Sequence, residues 1–428
     1  MSSGVYSTQG KTLMFRAESA LGTGAGTLQN VRFTEGTFPT DSRILVANPN
    51  GGHAHSFDVD DHGIPIEMYR EGAISFTTEI RGPATPGDKP PVVSFMEAAG
   101  CTATDMTGDT TVAGVPAVDS VEFTDDYGDE GLCAAVELAN SKYFPMLIGS
   151  YATSTATPGM DLPSAPSASD IIANMYTVIP TTGALAATDT LELVVNTRGT
   201  QSSGQDLSFR YNACACSGIG EMSFKYGEAP KMAFTFNFGK MVEESDAIAE
   251  EAFYDSAKMA VIDDNFEAAY ATWDPAGGIT RNVFHMLECS FTWGFKTIPI
   301  MASGGGSVAG LQGYIQVADP NPKLTVTGLY DTSWQTLLQD ENDAYKYFHF
   351  IQPCTFDEGN EAAFGLWLPK CRLAADAPVS HDFVGGEFIK STTTWDVSVA
   401  DWTDAGSKLD SNIKVAPWYF GVLHGTMA

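Results

Sequence analysis

The sequence predicts a mainly β fold arranged in about two domains, and three observations predict it. Glycine and proline are plentiful, at 42 and 22 residues, with many Ser and Thr, which is the composition of frequent turns between short strands. Several stretches alternate apolar and polar residues with period two. The same strand-then-helix pattern occurs twice, about 250 positions apart.

Length sets the domain count. A chain of 428 residues exceeds what one hydrophobic core usually organises and suggests two domains, or three. Apolar residues at 43% and aromatics at 11%, with 25 Phe and 15 Tyr, suffice for real cores and are too many for a disordered chain.

The strand patterns come first. Met232, Phe234, Phe236 and Phe238 share one face against Ala233, Thr235 and Asn237, which reads as a half-buried antiparallel strand. The stretch from Ala73 to Arg81 sets Ile74, Phe76, Thr78 and Ile80 against Ser75, Thr77 and Glu79, and Leu324 and Val326 alternate with Thr325 and Thr327 before Tyr330. Helices follow the last two. Pro90 and Pro91 open one whose Val92, Phe95, Met96 and Ala99 have helical spacing and which Gly100 can close. Thr332 or Ser333 can cap the other, with Trp334, Leu337, Leu338 and Glu341 at the same spacing.

A weaker echo pairs Gly218–Met222 with Val384–Phe388, in which Glu221 and Glu387 stand 166 apart. If the halves match, the first carries roughly 84 extra residues (250 − 166), and the Ser/Thr/Pro-rich run at 153–169 has the composition of a loop that would house them. From 243 to 261 the chain is rich in Ala, Glu and Asp, with Ala249, Phe253, Ala257 and Ala260 near helical spacing, so a linker or packing helix is expected there. The predicted division is a first domain over 1–241, a connector over 242–275 and a second domain over 276–428.

Charge narrows the function. With 23 Lys plus Arg against 53 Asp plus Glu, the formal charge is −30, and no basic run exists to neutralise phosphates as a conventional DNA binder does. The excess serves either acidic solubility or a functional acidic surface. The opening Met1–Tyr6 lacks the basic and apolar regions of an export signal, and no stretch approaches a membrane span. Seven scattered cysteines fit reduced thiols better than a disulfide framework.

Chemical motifs are weak. Gly10-Lys11-Thr12 lacks both the spacing and the preceding strand of a phosphate loop, and Gly22–Gly26 and Gly304–Gly306 lack the strand-to-helix context of a dinucleotide site. His53, His55, Asp58, Asp60, Asp61 and His62 form the best metal candidate. Counting from Asp58, however, position 12 is Tyr69 where a calcium loop needs a bidentate Glu, so a polar turn is preferred. Cys214 and Cys216 have no second pair at zinc spacing and read as strand residues sharing a face. None of the seven histidines sits beside a nucleophile elbow, so no enzyme and no cofactor is predicted.

Three blocks in order carry a resemblance. Arg16–Thr23 is followed by Val31-Arg32-Phe33; Gly72–Phe76 and Glu79–Gly82 are followed by a proline-rich turn and Val92–Gly100; Gly218–Glu221 is followed by Gly227–Pro230 and a strand ending Phe236–Gly239. Together these resemble the tail tube proteins of long-tailed, siphovirus-type bacteriophages, in the group whose subunit contains two tube-type domains. The proline-rich segment and the 153–169 run depart from a minimal tube domain. The resemblance implies two tandem β-sandwich domains, each with a short flanking α-helix, whose inner sheets close into a β-barrel in the assembled ring. It implies a virion protein made in the host cytoplasm that self-associates into trimeric, pseudo-hexameric stacked rings. DNA and a tape measure protein would occupy the lumen without specific binding, and other tail proteins would bind the tube ends. Glu79 and Asp396, taken as polar-face residues of matching strands, become candidates for the lumen wall, where an acidic surface would not bind its cargo. Other readings are a capsid, decoration or tail-terminator subunit, or a β-sandwich binding calcium or carbohydrate.

Overall fold

The computed structural model describes residues 6–39, 72–82, 87–138, 142–181, 183–185, 189–199, 207–244, 262, 265–272, 279–301, 311–318, 322–339, 345–355, 363–376, 379–384, 388–399 and 416–423. Among these the chain is mainly β, with two short helices and one closed six-stranded antiparallel barrel. The His/Asp turn at 53–62 and the stretch 245–261 lie outside the described residues.

β1 (Tyr6–Ala20) pairs with the short β2 (Thr23–Gly24) and β3 (Gln29–Val31), and β4 (Phe33–Thr37) pairs with β5 (Gly72–Glu79). Gly10-Lys11-Thr12 is therefore part of a strand. β5 buries Ile74, Phe76 and Thr78 on one face, as its alternation predicts. α1 (Pro91–Glu97) begins with proline in its first turn, where a missing N–H costs nothing, and Gly100 just beyond its end takes a φ of 88°. Its Phe95 ring lies 4.8 Å from Phe15, 5.3 Å from Phe76 and 5.4 Å from Phe234, which clamps the helix across two sheets.

The chain then builds β6 (Cys101–Thr104), β7 (Thr110–Ala117), β8 (Ser120–Phe123), β9 (Cys133–Leu138), β10 (Lys142–Ala152), β11 (Thr155–Pro158), β12 (Ile171–Pro180) and β13 (Gly183–Leu185). The barrel closes in the order β7, β8, β11, β10, β9, β12 and back to β7. Val121, Phe123, Val136, Met146, Ile148 and Ile172 fill it. The run 153–169 is thus not a loop throughout, because Thr155–Pro158 is the strand that completes the barrel. Thr153 and Ser154, at φ 50° and 64°, make the tight turn into it, and its Ala156 and Pro158 are buried between half-exposed threonines. Small side chains carry that alternation, so composition reads as a loop.

β14 (Leu191–Gly199), β15 (Leu207–Cys216), β16 (Gly218–Lys225), β17 (Lys231–Phe238) and β18 (Lys240–Glu244) follow. Then come β19 (Glu267–Thr272), β20 (Asn282–Val283), β21 (Met286–Met301), β22 (Leu311–Ala318) and β23 (Lys323–Leu329). α2 (Thr332–Gln339) leads to β24 (Lys346–Gln352), β25 (Cys354–Thr355), β26 (Phe364–Leu373), β27 (Ser380–Val384), β28 (Phe388–Ser398) and β29 (Tyr419–Leu423). The cap of α2 is neither Thr332 nor Ser333: the Asp331 carboxylate accepts the Trp334 N–H at 3.0 Å. Strands β18 and β19 reach into the 242–275 stretch expected to be a connector.

One order of pairing occurs twice. In the first half β4 pairs with β5, β5 with β17, β17 with β15, β15 with β14, and β14 with β1; β16 flanks β17, and β18 flanks β15. In the second, β21, β23, β28, β26, β24 and β19 pair in the same order, with β27 beside β28 and β29 beside β26. Even the irregularities recur. The β4–β5 register shifts between Phe33 and Glu35, and β21–β23 between Met286 and Glu288. The β14–β15 register shifts at Leu191/Leu193, and β24–β26 at Lys346/Phe348.

These registers correct the sequence alignment of the halves. Ile74 faces Phe236 and Leu324 faces Trp395, so the first strands correspond 250 apart and the second 159 apart (395 − 236). The difference is 91 residues rather than 84, and Ser380, not Glu387, matches Glu221. The surplus falls between α1 and β14, where the barrel stands; α2 and β24 are joined by residues 340–345 alone.

Candidate functional site

One continuous run of eight strands follows the order β4, β5, β17, β16, β21, β23, β28, β27, antiparallel throughout. Its two four-strand blocks meet inside the chain along β16 and β21, which pair over eight positions from Gly218 opposite Phe295 to Lys225 opposite Glu288. One face is apolar and buried. Met222, Phe224, Phe234, Phe236, Phe291 and Val326 belong to one core that runs through both halves. At the junction, a Cβ on Gly220 would lie 2.6 Å from the Trp293 indole, so glycine is what lets that ring pack beneath the strand.

The opposite face is rich in hydroxyls. Thr325 lies 3.3 Å from Thr394 and Thr327 3.0 Å from Thr392, oxygen to oxygen, while Ser75 is opposite Thr235 and Ser223 opposite Ser290. Among the described side chains its carboxylates are Glu35, Glu79, Glu221, Glu288, Asp382 and Asp396, and its lysines are Lys225, Lys231, Lys323 and Lys390. Each lysine meets a carboxylate: Lys225 and Lys231 meet Glu228, Lys323 is 3.0 Å from Asp376, and Lys390 is 3.7 Å from Glu288.

The face is therefore nearly balanced in charge rather than densely acidic. The excess lies elsewhere. Residues 101–185, which include the barrel, hold eleven carboxylates and one lysine, contributing −10 (1 − 11) of the formal −30.

Glu79 and Asp396 both fall on the polar face but not at matching positions. Glu79 ends β5 and pairs with Arg81, and its counterpart is Leu329; Asp396 sits on β28, 3.9 Å from Lys323, and its counterpart is Asn237. Sequence spacing aligned the wrong strands because both alternate with the same period.

Two carboxylate clusters, one buried around Glu18 and Glu192 and one half-buried around Glu267, offer the other chemistry. Glu18 accepts the N–H groups of Ala213 and Gly22, each at 2.8 Å, and the Thr190 hydroxyl at 2.6 Å. Burial pushes its carboxyl up from the ordinary value despite those three donors. Glu192 meets Arg16 at 2.9 Å and Arg210 at 3.4 Å. In the second half, Glu267 Oε1 lies 2.9 Å from His349 Nε2 while Oε2 accepts from Arg281. Burial works to raise the Glu267 carboxyl, but the hydrogen bond and charge of His349 and the Arg281 guanidinium outweigh it and hold it below its ordinary value. Both clusters spend their oxygens on holding strands together. Cys214 and Cys216 are buried and free, as are all seven cysteines, and burial pushes both thiols up. Among the described residues no cluster of three or more His, Cys, Asp or Glu has the geometry of a metal site.

No family model matches the chain, and no curated protein matches it.

Proposed function

We propose that the chain is a structural subunit of a tube, the major tail tube protein of a long-tailed phage, and that its halves are two tandem tube-type domains. The observation that carries this reading is the eight-stranded sheet, in which two blocks of the same strand order join edge to edge within one chain. An open sheet edge is a liability for a soluble protein unless another strand covers it, and closing the sheet around a ring removes every edge. Two blocks per chain favour three chains per ring with pseudo-sixfold symmetry.

On this reading the hydroxyl-rich face, with Glu79 and Asp396 on it, lines the lumen. DNA and a tape measure protein pass such a wall without binding, because each lysine described on it is engaged by a carboxylate, which leaves phosphates no cluster of cations among those residues. Tube ends would be closed by other tail proteins. Electron microscopy of the purified full chain tests the proposal. Cylinders of stacked rings with three chains each are expected, whereas a protein that stays monomeric at high concentration refutes it.

A further inference from the structure

We infer that successive copies join by pairing the β27 edge of one chain with the β4 edge of the next, in the register already used inside each chain by β16 and β21. This rests on the tube reading only for the closure of the ring. The joint itself follows from the fold.

β27 is the counterpart of β16, and β4 of β21, yet among the described residues β27 pairs only with β28 and β4 only with β5. These are the two ends of the eight-stranded sheet. The internal junction sets Met222 opposite Phe291, Ser223 opposite Ser290 and Phe224 opposite Cys289. Shared registers translate β16 to β27 by 159 positions: Met222 faces Met232 as His381 faces Ser391. They translate β21 to β4 by 253: Cys289 faces Val326 as Gly36 faces Phe76. Between copies, His381 then faces Phe38, Asp382 faces Thr37, and Phe383 faces Gly36.

Side-chain burial points the same way. Phe224 is fully buried, with its ring 5.4 Å from Phe364, 5.9 Å from Phe266 and 6.4 Å from Phe350, all in the other half. Its counterpart Phe383 is 78% exposed. A phenylalanine on the core-facing side of a strand, left uncovered by the described residues, marks a surface that awaits a partner. The next copy supplies the counterparts of those three rings, Lys11, Val195 and Leu207. Lys11 also lines an open groove of 480 Å³ beside β4. Small residues, Gly36 and Cys289, sit opposite the phenylalanine at both joints. Because the joint is head-to-tail, it makes a ring where the rotation closes and a filament where it does not.

The test uses the full chain carrying T37C and D382C, two exposed positions expected to oppose each other across the joint within disulfide reach. The native cysteines are buried and give little background. Oxidation should yield disulfide-linked multimers, at least fivefold faster than for the out-of-register pair E35C/D382C. The variant F383E should keep its circular dichroism and weaken self-association at least tenfold. Rings seen by microscopy with no T37C–D382C cross-link overturn this joint and leave the tube reading standing. Cross-linked multimers that never stack into cylinders uphold the joint and overturn the tube reading. A folded protein that neither cross-links nor assembles overturns both.

Discussion

At the scale of single residues, the half-buried Glu267 and the buried Glu18 should respond to pH with opposite signs. Glu267 titrates below its ordinary value in the fold, so its contribution is present above the unfolded carboxylate range near 4.5 and is lost as pH falls through the lowered folded value. Glu267→Gln leaves His349 and Arg281 facing a neutral amide and should cost about 2 kcal/mol at pH 7. Urea unfolding of the two proteins should show that difference shrinking as pH drops below 4.5. Glu18 titrates above its ordinary value, so its favourable contribution is complete below 4.5 and is lost as pH rises through the raised folded value. Glu18→Gln should therefore improve relative to the parent as pH increases across that window. A gap that stays flat with pH at either site would mean the carboxyl is not shifted as its surroundings require. Neither acid was visible as special in the sequence: Glu18 stands in an ordinary strand, and its partners Thr190 and Ala213 are more than 170 positions away.

At the scale of elements, legibility followed the size of the side chains. The Phe-rich β17, the alternating β5 and β23, and the helices after them can be read directly, because large apolar residues at period two or 3.6 leave few alternatives. The barrel was not legible. Its strands β9 and β12 are buried almost throughout and carry Ala, Cys and Asn among the larger residues, so no alternation survives, and β11 consists of Thr, Ala and Pro. The match between halves was legible in β5 and β23 but slipped by seven positions (166 − 159) at the later strands, where glycine-rich turns imitate one another. The eight-stranded sheet depends on pairings across hundreds of residues and has no local signature. One prediction belongs here. α1 and α2 are held by Phe95 and Trp334, the latter donating its Nε1–H to the His285 carbonyl at 3.3 Å and packing edge-on to Phe284. Phe95→Ala and Trp334→Ala should each cost about 4 kcal/mol, as large-to-small core changes do. Thermal unfolding that moved for one and not the other would show that the two helices do not play equivalent parts.

At the scale of the whole molecule, charge and shape pull against each other. Each copy carries a formal −30, and the proposed joint brings acidic edges together, with Glu35 on β4 and Asp382 on β27. Copies therefore repel before they meet. Burial of Phe383 acts only at contact, whereas the repulsion extends over a Debye length of about 10 Å at 0.1 M salt and about three times that at 0.01 M. Self-association should consequently strengthen with ionic strength, the reverse of a complex held by opposite charges. Sedimentation of the full chain should show the concentration for half-assembly falling by about tenfold between 0.02 M and 0.3 M sodium chloride, an order-of-magnitude expectation from screening of that repulsion. Replacing the carboxylates Asp125, Asp126, Asp129 and Glu130, which lie between β8 and β9, by their amides reduces the net negative charge from −30 to −26 (−30 + 4) without touching either sheet edge. If long-range repulsion sets the salt dependence, that variant should assemble at lower salt than the parent. If only the edge residues matter, D382N should do so and the β8–β9 variant should not.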